Sequence, residues 1–324
     1  MTTRDFRSTF SAKPTVSLLI LTLLAATLLA AKAPAATNGF DLGNALVPVD
    51  EIHAGGPARD GIPSIDEPKL VAAREADFLR GGDDVLGIVL GGVARAYPIR
   101  IMNWHEIVND DIGGTRIAVT YCPLCGTGVA FAAESGGRAL SFGVSGLLYN
   151  SDMLLYDRET ESLWSQIKKH AISGPLAGRE LQALPLTHTT WSAWLREHPD
   201  TRVLSTDTGF RRDYARSPYG GYETERGLYF PVANKSRRYH PKDRVLGVEI
   251  GGQYKAYPFA ELSKTDGEVR DRVGGEPVTI RFDRLNESAR AFDAQGDQLP
   301  AMTGFWFAWY AFHPDTAVFQ APPG

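Results

Sequence analysis

The feature that most constrains this chain is that it is written twice. Residues 85–98 read VLGIVLGGVARAYP and residues 245–258 read VLGVEIGGQYKAYP, an offset of 160. The match continues as IGGTRIAVT (112–120) against VGGEPVTI (273–280), and closes as HPDTRVL (198–204) against HPDTAVF (313–319). Self-similarity of this kind implies two related structural units that bury their apolar faces together. Within each unit, apolar runs joined by Gly-Gly read as β-hairpins: Val85–Leu90 and Val93–Tyr97 across Gly91-Gly92, with Arg116–Tyr121 as a further strand. A helical stretch at about 189–197 precedes the first HPDT. With 33 Gly and 20 Pro, the chain suits short strands and turns better than a helix bundle. The expected fold is α+β, predominantly β, with two degenerate internal repeats packed into one compact body.

The copies differ in length. From Val-Leu-Gly to HPDT the first runs from 85 to 198 and the second only from 245 to 313. The surplus lies mainly between Phe142 and Thr189 and includes SFGVSGLLYNSDMLLYDRETESLWSQ. The organisation expected is a lead-in at 36–82, a first repeat at 83–205, a connecting segment at 206–242 and a second, degenerate repeat at 243–324. The connecting segment is rich in Arg and Tyr (FRRDYARSPYGGY) and is expected to pack onto the first repeat rather than act as a flexible linker.

Residues 1–35 read as a secretory signal peptide. Arg4, Arg7 and Lys13 form a basic start, residues 16–31 are apolar, and Ala33-Pro34-Ala35 offers small residues for cleavage. An exported protein, periplasmic or extracellular, is expected, with no transmembrane span once the signal is removed. A net charge of −4 gives no nucleic-acid footprint. GGVARA and GGQYKA are hairpins, neither GxGxxG nor a P-loop, so no nucleotide cofactor is expected.

What both copies keep reads as scaffold, and what only the first carries reads as candidate chemistry. His198 and His313, both inside HPDT, fall in the first class. Cys122, Cys125 and His105 fall in the second: VTIRFDRL stands opposite VTYCPLCG, and Thr265 opposite His105. The C-P-L-C-G turn resembles a metal knuckle, in which one turn offers two thiolates and glycine permits positive φ. His105, in NWHEIVND, is the candidate third ligand. A donor set of two thiolates and one imidazole in an exported protein favours copper, with zinc possible.

Two other readings stay open. One is a thiol–disulfide oxidoreductase in which Cys122 attacks and Cys125 resolves. Against it, Gly-Thr-Gly-Val-Ala-Phe after Cys125 looks like a strand, not the helix whose N-terminus lowers a thiol pKa. The other is a non-catalytic interaction module with a structural disulfide across the turn. In the extra segment, Asp157-Arg-Glu-Thr160 reads as a hairpin turn capped by Asp157, with Thr160 bonding backbone. The alternative is a polar pocket near the cysteines lined by Asn150, Asp152 and Gln166.

Taken in order, NWHEIVND, VTYCPLCGTGVAF, FGVSGLLYNSDMLLYDRETESLWSQ, GPLAG and HPDTRVLS resemble an uncharacterised bacterial and archaeal family, a domain of unknown function. The resemblance spans roughly residues 70 to 320. It implies an exported protein and supplies no activity. His105, Cys122 and Cys125 match the family pattern residue by residue, and Asn150, Asp152, Arg158 and Trp164 sit in a family motif without assigned roles.

Overall fold

In the first hairpin Val85 pairs with Pro98 and Leu90 with Val93, and both turn glycines, Gly91 and Gly92, have positive φ. That is the turn whose twist matches two right-twisted strands. The computed structural model describes residues 1–2 and 37–322. The leader read at 1–35 therefore falls outside the described residues, apart from its first two. The described chain is predominantly β.

Strands Asp84–Leu90 and Val93–Pro98 sit in a sheet with Thr187–Thr190 on one side and Arg202–Leu204, running parallel, on the other, followed by Leu70–Ala72. Strands Arg244–Ile250 and Gln253–Pro258 sit between Met302–Phe305, antiparallel, and Ala317–Val318, parallel. The shared strand order and direction are thus the same in the two sheets. Each edge strand feeds directly into a helix, Trp191–Glu197 in one case and Trp306–Phe312 in the other. A single packing event fixes each helix: the indole of Trp194 lies on Gly87, and that of Trp309 on Gly247, where a Cβ would collide with the ring. The threonine of HPDT then holds the indole. Trp194 Nε1 donates to Thr201 Oγ1 at 3.0 Å and Trp309 Nε1 to Thr316 Oγ1 at 2.9 Å. His198 and His313 pack on those indoles, with ring centroids 4.0 and 4.3 Å away. HPDT is a packing device.

A second sheet in the first half holds Ile107–Ile112, Thr115–Cys122, Thr127–Ala132 and Ala183–Leu184. Glu268–Val273, Glu276–Asp283 and Ser288–Phe292 form a three-stranded counterpart in the second half. Strand register corrects the sequence pairing here. Ile112 pairs with Thr115 and Cys122 with Thr127, while Val273 pairs with Glu276 and Asp283 with Ser288. The residues standing where Cys122 and Cys125 stand are therefore Asp283 and Asn286, not Arg281 and Arg284. The offset is 160 at the hairpins and 161 in these strands, so matching VTIR to VTYC, an offset of 159, falls two residues short. Asn286 Nδ2 donates to Asp283 Oδ2 at 2.6 Å, so that turn is closed by its own side chains.

The surplus segment builds a sheet of its own. Phe142–Tyr149, Asp152–Asp157, Leu163–Ser165 and His170–Ser173 pair in sequence order, and Ile52–Ala54 of the lead-in joins Phe142–Tyr149 at the edge. These strands are buried along nearly their whole length, as expected for a sheet covered on both faces. The connecting segment packs on the first half: Tyr214 Oη lies 2.7 Å from His105 Nε2, and Trp104 Nε1 donates to the Arg216 carbonyl.

The halves meet at the cysteine turn. Phe305 N donates to the Cys125 carbonyl at 2.8 Å, and the Phe305 ring covers Gly126, whose φ is +62. Because overpacking a close glycine–indole contact costs about 1–3 kcal/mol, Gly87→Ala and Gly247→Ala should each lower stability by that amount in urea unfolding, with the slope unchanged. Wild-type midpoints in both variants would contradict the packing described.

Candidate functional site

Two turns converge. The first is Cys122-Pro-Leu-Cys125-Gly126, tightened by a hydrogen bond from Cys125 N to the Cys122 carbonyl at 3.1 Å. The second joins Phe142–Tyr149 to Asp152–Asp157. Tyr149 pairs with Asp152, and the two residues between, Asn150 and Ser151, both have positive φ, the geometry of a tight hairpin. That hairpin carries the Ser151 carbonyl and the Asp152 carboxylate to the sulfurs. Cys125 Sγ lies 3.3 Å and Cys122 Sγ 3.9 Å from the Ser151 oxygen. One donor atom each from Cys122, Cys125 and Asp152 lies within 4.8 Å of the others.

All three residues are buried, with Cys122 1% exposed and Cys125 and Asp152 0%. Both cysteines are free thiols, so the disulfide clip considered above is not formed. Asp152 Oδ2 accepts from Ser165 Oγ at 3.0 Å and Ile167 N at 3.1 Å, while its Oδ1, equally buried, has no hydrogen-bond partner among the described residues. A buried carboxylate oxygen without a donor is costly unless something else satisfies it. Burial pushes the Cys125 thiol well up, and neighbouring Cys122 and Asp152 push it further. Burial also raises Asp152 to about 7, against the pull of its Ile167 and Ser165 hydrogen bonds. Cys125 and Asp152, crowded out of water, resist ionising together; a bound cation reverses that balance. The same burial opposes redox chemistry at Cys125, since the thiolate is the nucleophile and no helix follows the turn, only strand Thr127–Ala132.

His105 is not brought to the sulfurs. It ends helix Ile99–His105, fully buried, with Nδ1 2.8 Å from the Pro63 carbonyl and Nε2 2.7 Å from Tyr214 Oη. Both ring nitrogens are engaged in holding the lead-in and the connecting segment, and the group that could hold a metal joins Asp152, not His105, to the two cysteines. Gln166 clasps the base of the cysteine turn: Oε1 accepts from Thr127 Oγ1 at 2.6 Å and Nε2 donates to Thr120 Oγ1 at 2.8 Å. Asn150 Oδ1 accepts from Ala233 N at 2.7 Å, fixing the second turn. Arg158 and Trp164 serve elsewhere. Arg158 reaches Ser64 Oγ, the Phe142 carbonyl and Asp66, and Trp164 Nε1 donates to Asp157 Oδ2 at 2.8 Å. The turn at 157–160 is present and Asp157 accepts from Thr160 N; however, the Thr160 hydroxyl binds the Asp157 carboxylate and not backbone.

Two groups escaped the sequence reading. Lys242 is 5% exposed, donates to the carbonyls of Tyr222, Glu225 and Gly227, and sits 3.2 Å from the centroid of the Tyr222 ring. Burial lowers it to about 8, and its charge pulls the Cys125 thiol down. No motif marks it. Glu106 had a signal, since it lies in NWHEIVND. Its φ is +58, where the second half has Gly267 at +100, and both carbonyls accept from the neighbouring strand, from Tyr121 N and Phe282 N. Its Oε1 accepts from Tyr219 Oη at 3.0 Å, and burial raises it to about 7, with the Tyr219 bond opposing.

A raised acid favours folding only while it holds its proton. That contribution is complete below the unfolded pKa of about 4.5 and disappears as pH rises through about 7. Wild type should therefore lose stability relative to Glu106→Gln across that window and run parallel to it above. Parallel curves throughout, from urea unfolding at stepped pH, would contradict the burial of this carboxyl.

Comparison with protein families finds a match to the family described as protein of unknown function (DUF3179) over residues 59–298. No curated protein and no solved structure matches the chain. The matched region contains both turns of the site and most of each half, and the chain belongs to this family of unknown function.

Proposed function

We propose that this is an exported metal-binding protein that holds one zinc ion through the thiolates of Cys122 and Cys125 and the carboxylate of Asp152. The observation that carries the reading is Asp152 Oδ1, buried and without a hydrogen-bond donor among the described residues, beside two free buried thiols. A divalent ion satisfies that oxygen and offsets the charge of three anions, with Lys242 supplying further compensation from the connecting segment. The nearby Ser151 carbonyl oxygen is available as a fourth donor. Exchanging an imidazole for a carboxylate moves the donor set away from soft copper(I) and toward zinc, which takes sulfur and oxygen together. Export is supported by the composition of residues 1–35.

The two halves also support a duplication in which only the first acquired a metal turn. Where the first half has Cys122 and Cys125, the second has Asp283 and Asn286, bonded to each other and to Arg196 and Thr190.

Protein purified from the exported compartment should contain about one zinc per chain. Cys122→Ser, Cys125→Ser and Asp152→Asn should each lose it, whereas His105→Phe should keep it, as measured by elemental analysis on folded samples. Zinc lost in His105→Phe and kept in Asp152→Asn would overturn the ligand set. A metal-free wild type that takes up no zinc after reduction would overturn the function.

A further inference from the structure

Beside the cysteine turn lies a cavity of about 380 Å³ that the metal reading does not use. It falls in the size range of small-molecule sites. Its wall is mostly apolar, with Leu124 from the turn itself and Met153 from the strand after Asp152. Aromatic rings close much of the rest, among them Trp104, Tyr229 and Phe230. Among the described residues Glu106 is the one acidic residue in the wall.

Glu106 is an odd residue to find there. It is 7% exposed and makes no salt bridge among the described residues; its recorded side-chain partner is the Tyr219 hydroxyl. It also occupies a left-handed backbone position that the second half fills with glycine. An acid held in a disfavoured conformation, out of water and without a cation, is the kind of outlier that accompanies a ligand site. The missing partner is a positive charge. Aromatic faces around a carboxylate are the chemistry that receives an organic cation, because ring quadrupoles and the anion attract it together. Arg212, also in the wall, does not fill this role. It is exposed, 5.9 Å from the Trp104 ring centroid, and its charge is screened by solvent.

We propose that this cavity binds a small organic ammonium ion with an aromatic or apolar body, its charge received by Glu106 and its body by Trp104, Tyr229 and Phe230. The site stands independently of the metal.

The probe is tryptamine, a primary ammonium ion on an indole, and the control is tryptophol, which replaces the amine with a hydroxyl. Calorimetric titration of the full folded protein at pH 7.5 should show about one tryptamine per chain. Tryptophol should bind about tenfold or more weakly, the scale of a desolvated charge pair. Glu106→Gln should weaken tryptamine to the level of tryptophol. Tyr229→Ala alters a half-exposed wall residue and should weaken both ligands without affecting folding. Binding should persist in Cys122→Ser. The proposal is overturned by tryptophol binding as tightly as tryptamine, by tryptamine affinity unmoved in both Glu106→Gln and Tyr229→Ala, or by no saturable heat. Loss of tryptamine binding in Cys122→Ser also overturns it, since the amine would then belong to the metal.

Discussion

The hydrogen bond from Phe305 N to the Cys125 carbonyl ties the two halves of the molecule to one turn. It comes from the edge strand of the second half, which continues directly into helix Trp306–Phe312. That helix is fixed in turn by the Trp309 indole on Gly247. The packing that makes the second half fold thus also presses a backbone donor and an aromatic ring onto the cysteine turn. Thr127, next on the chain, meets Gly304 on one side and Gln166 on the other. The second half carries no thiols, yet it holds the thiols of the first in place.

Metal sites depend on such supporting contacts as much as on their ligands. Here each candidate donor has a separate brace. Gln166 and Phe305 fix the cysteine turn, Asn150 pins the hairpin that presents Asp152, and Ser165 and Ile167 take one carboxylate oxygen and leave the other facing inward. The connecting segment closes the assembly through Lys242, whose ammonium is held by three carbonyls. All of these polar groups are buried, so each needs its partner, and the arrangement is correspondingly specific.

Much of this was legible in the sequence because it follows from local rules. Gly-Gly turns between alternating apolar runs gave the hairpins, the HPDT pairs marked scaffold, and a strand rather than a helix follows Cys125. The third member of the candidate metal group was not legible. His105 stood in a strong motif, but its two nitrogens are taken by Pro63 and Tyr214, which lie far from it along the chain. Asp152 looked like one polar residue among several, because its place beside the sulfurs depends on a two-residue turn built from Asn-Ser rather than Asn-Gly. The counterpart of the cysteine pair was misplaced by two residues, because Val-Thr was matched to Val-Thr and only strand register reveals the true offset. Lys242 carried no signal at all, because a lone lysine in a polar segment reads as surface.

The proposed zinc donors are two sulfurs and a carboxylate, without an imidazole. X-ray absorption at the zinc edge of the loaded protein tests that set directly. The spectrum should show two sulfur scatterers at about 2.3 Å together with oxygen at about 2.0–2.2 Å. An outer-shell imidazole pattern, or a shell containing no sulfur, would contradict it.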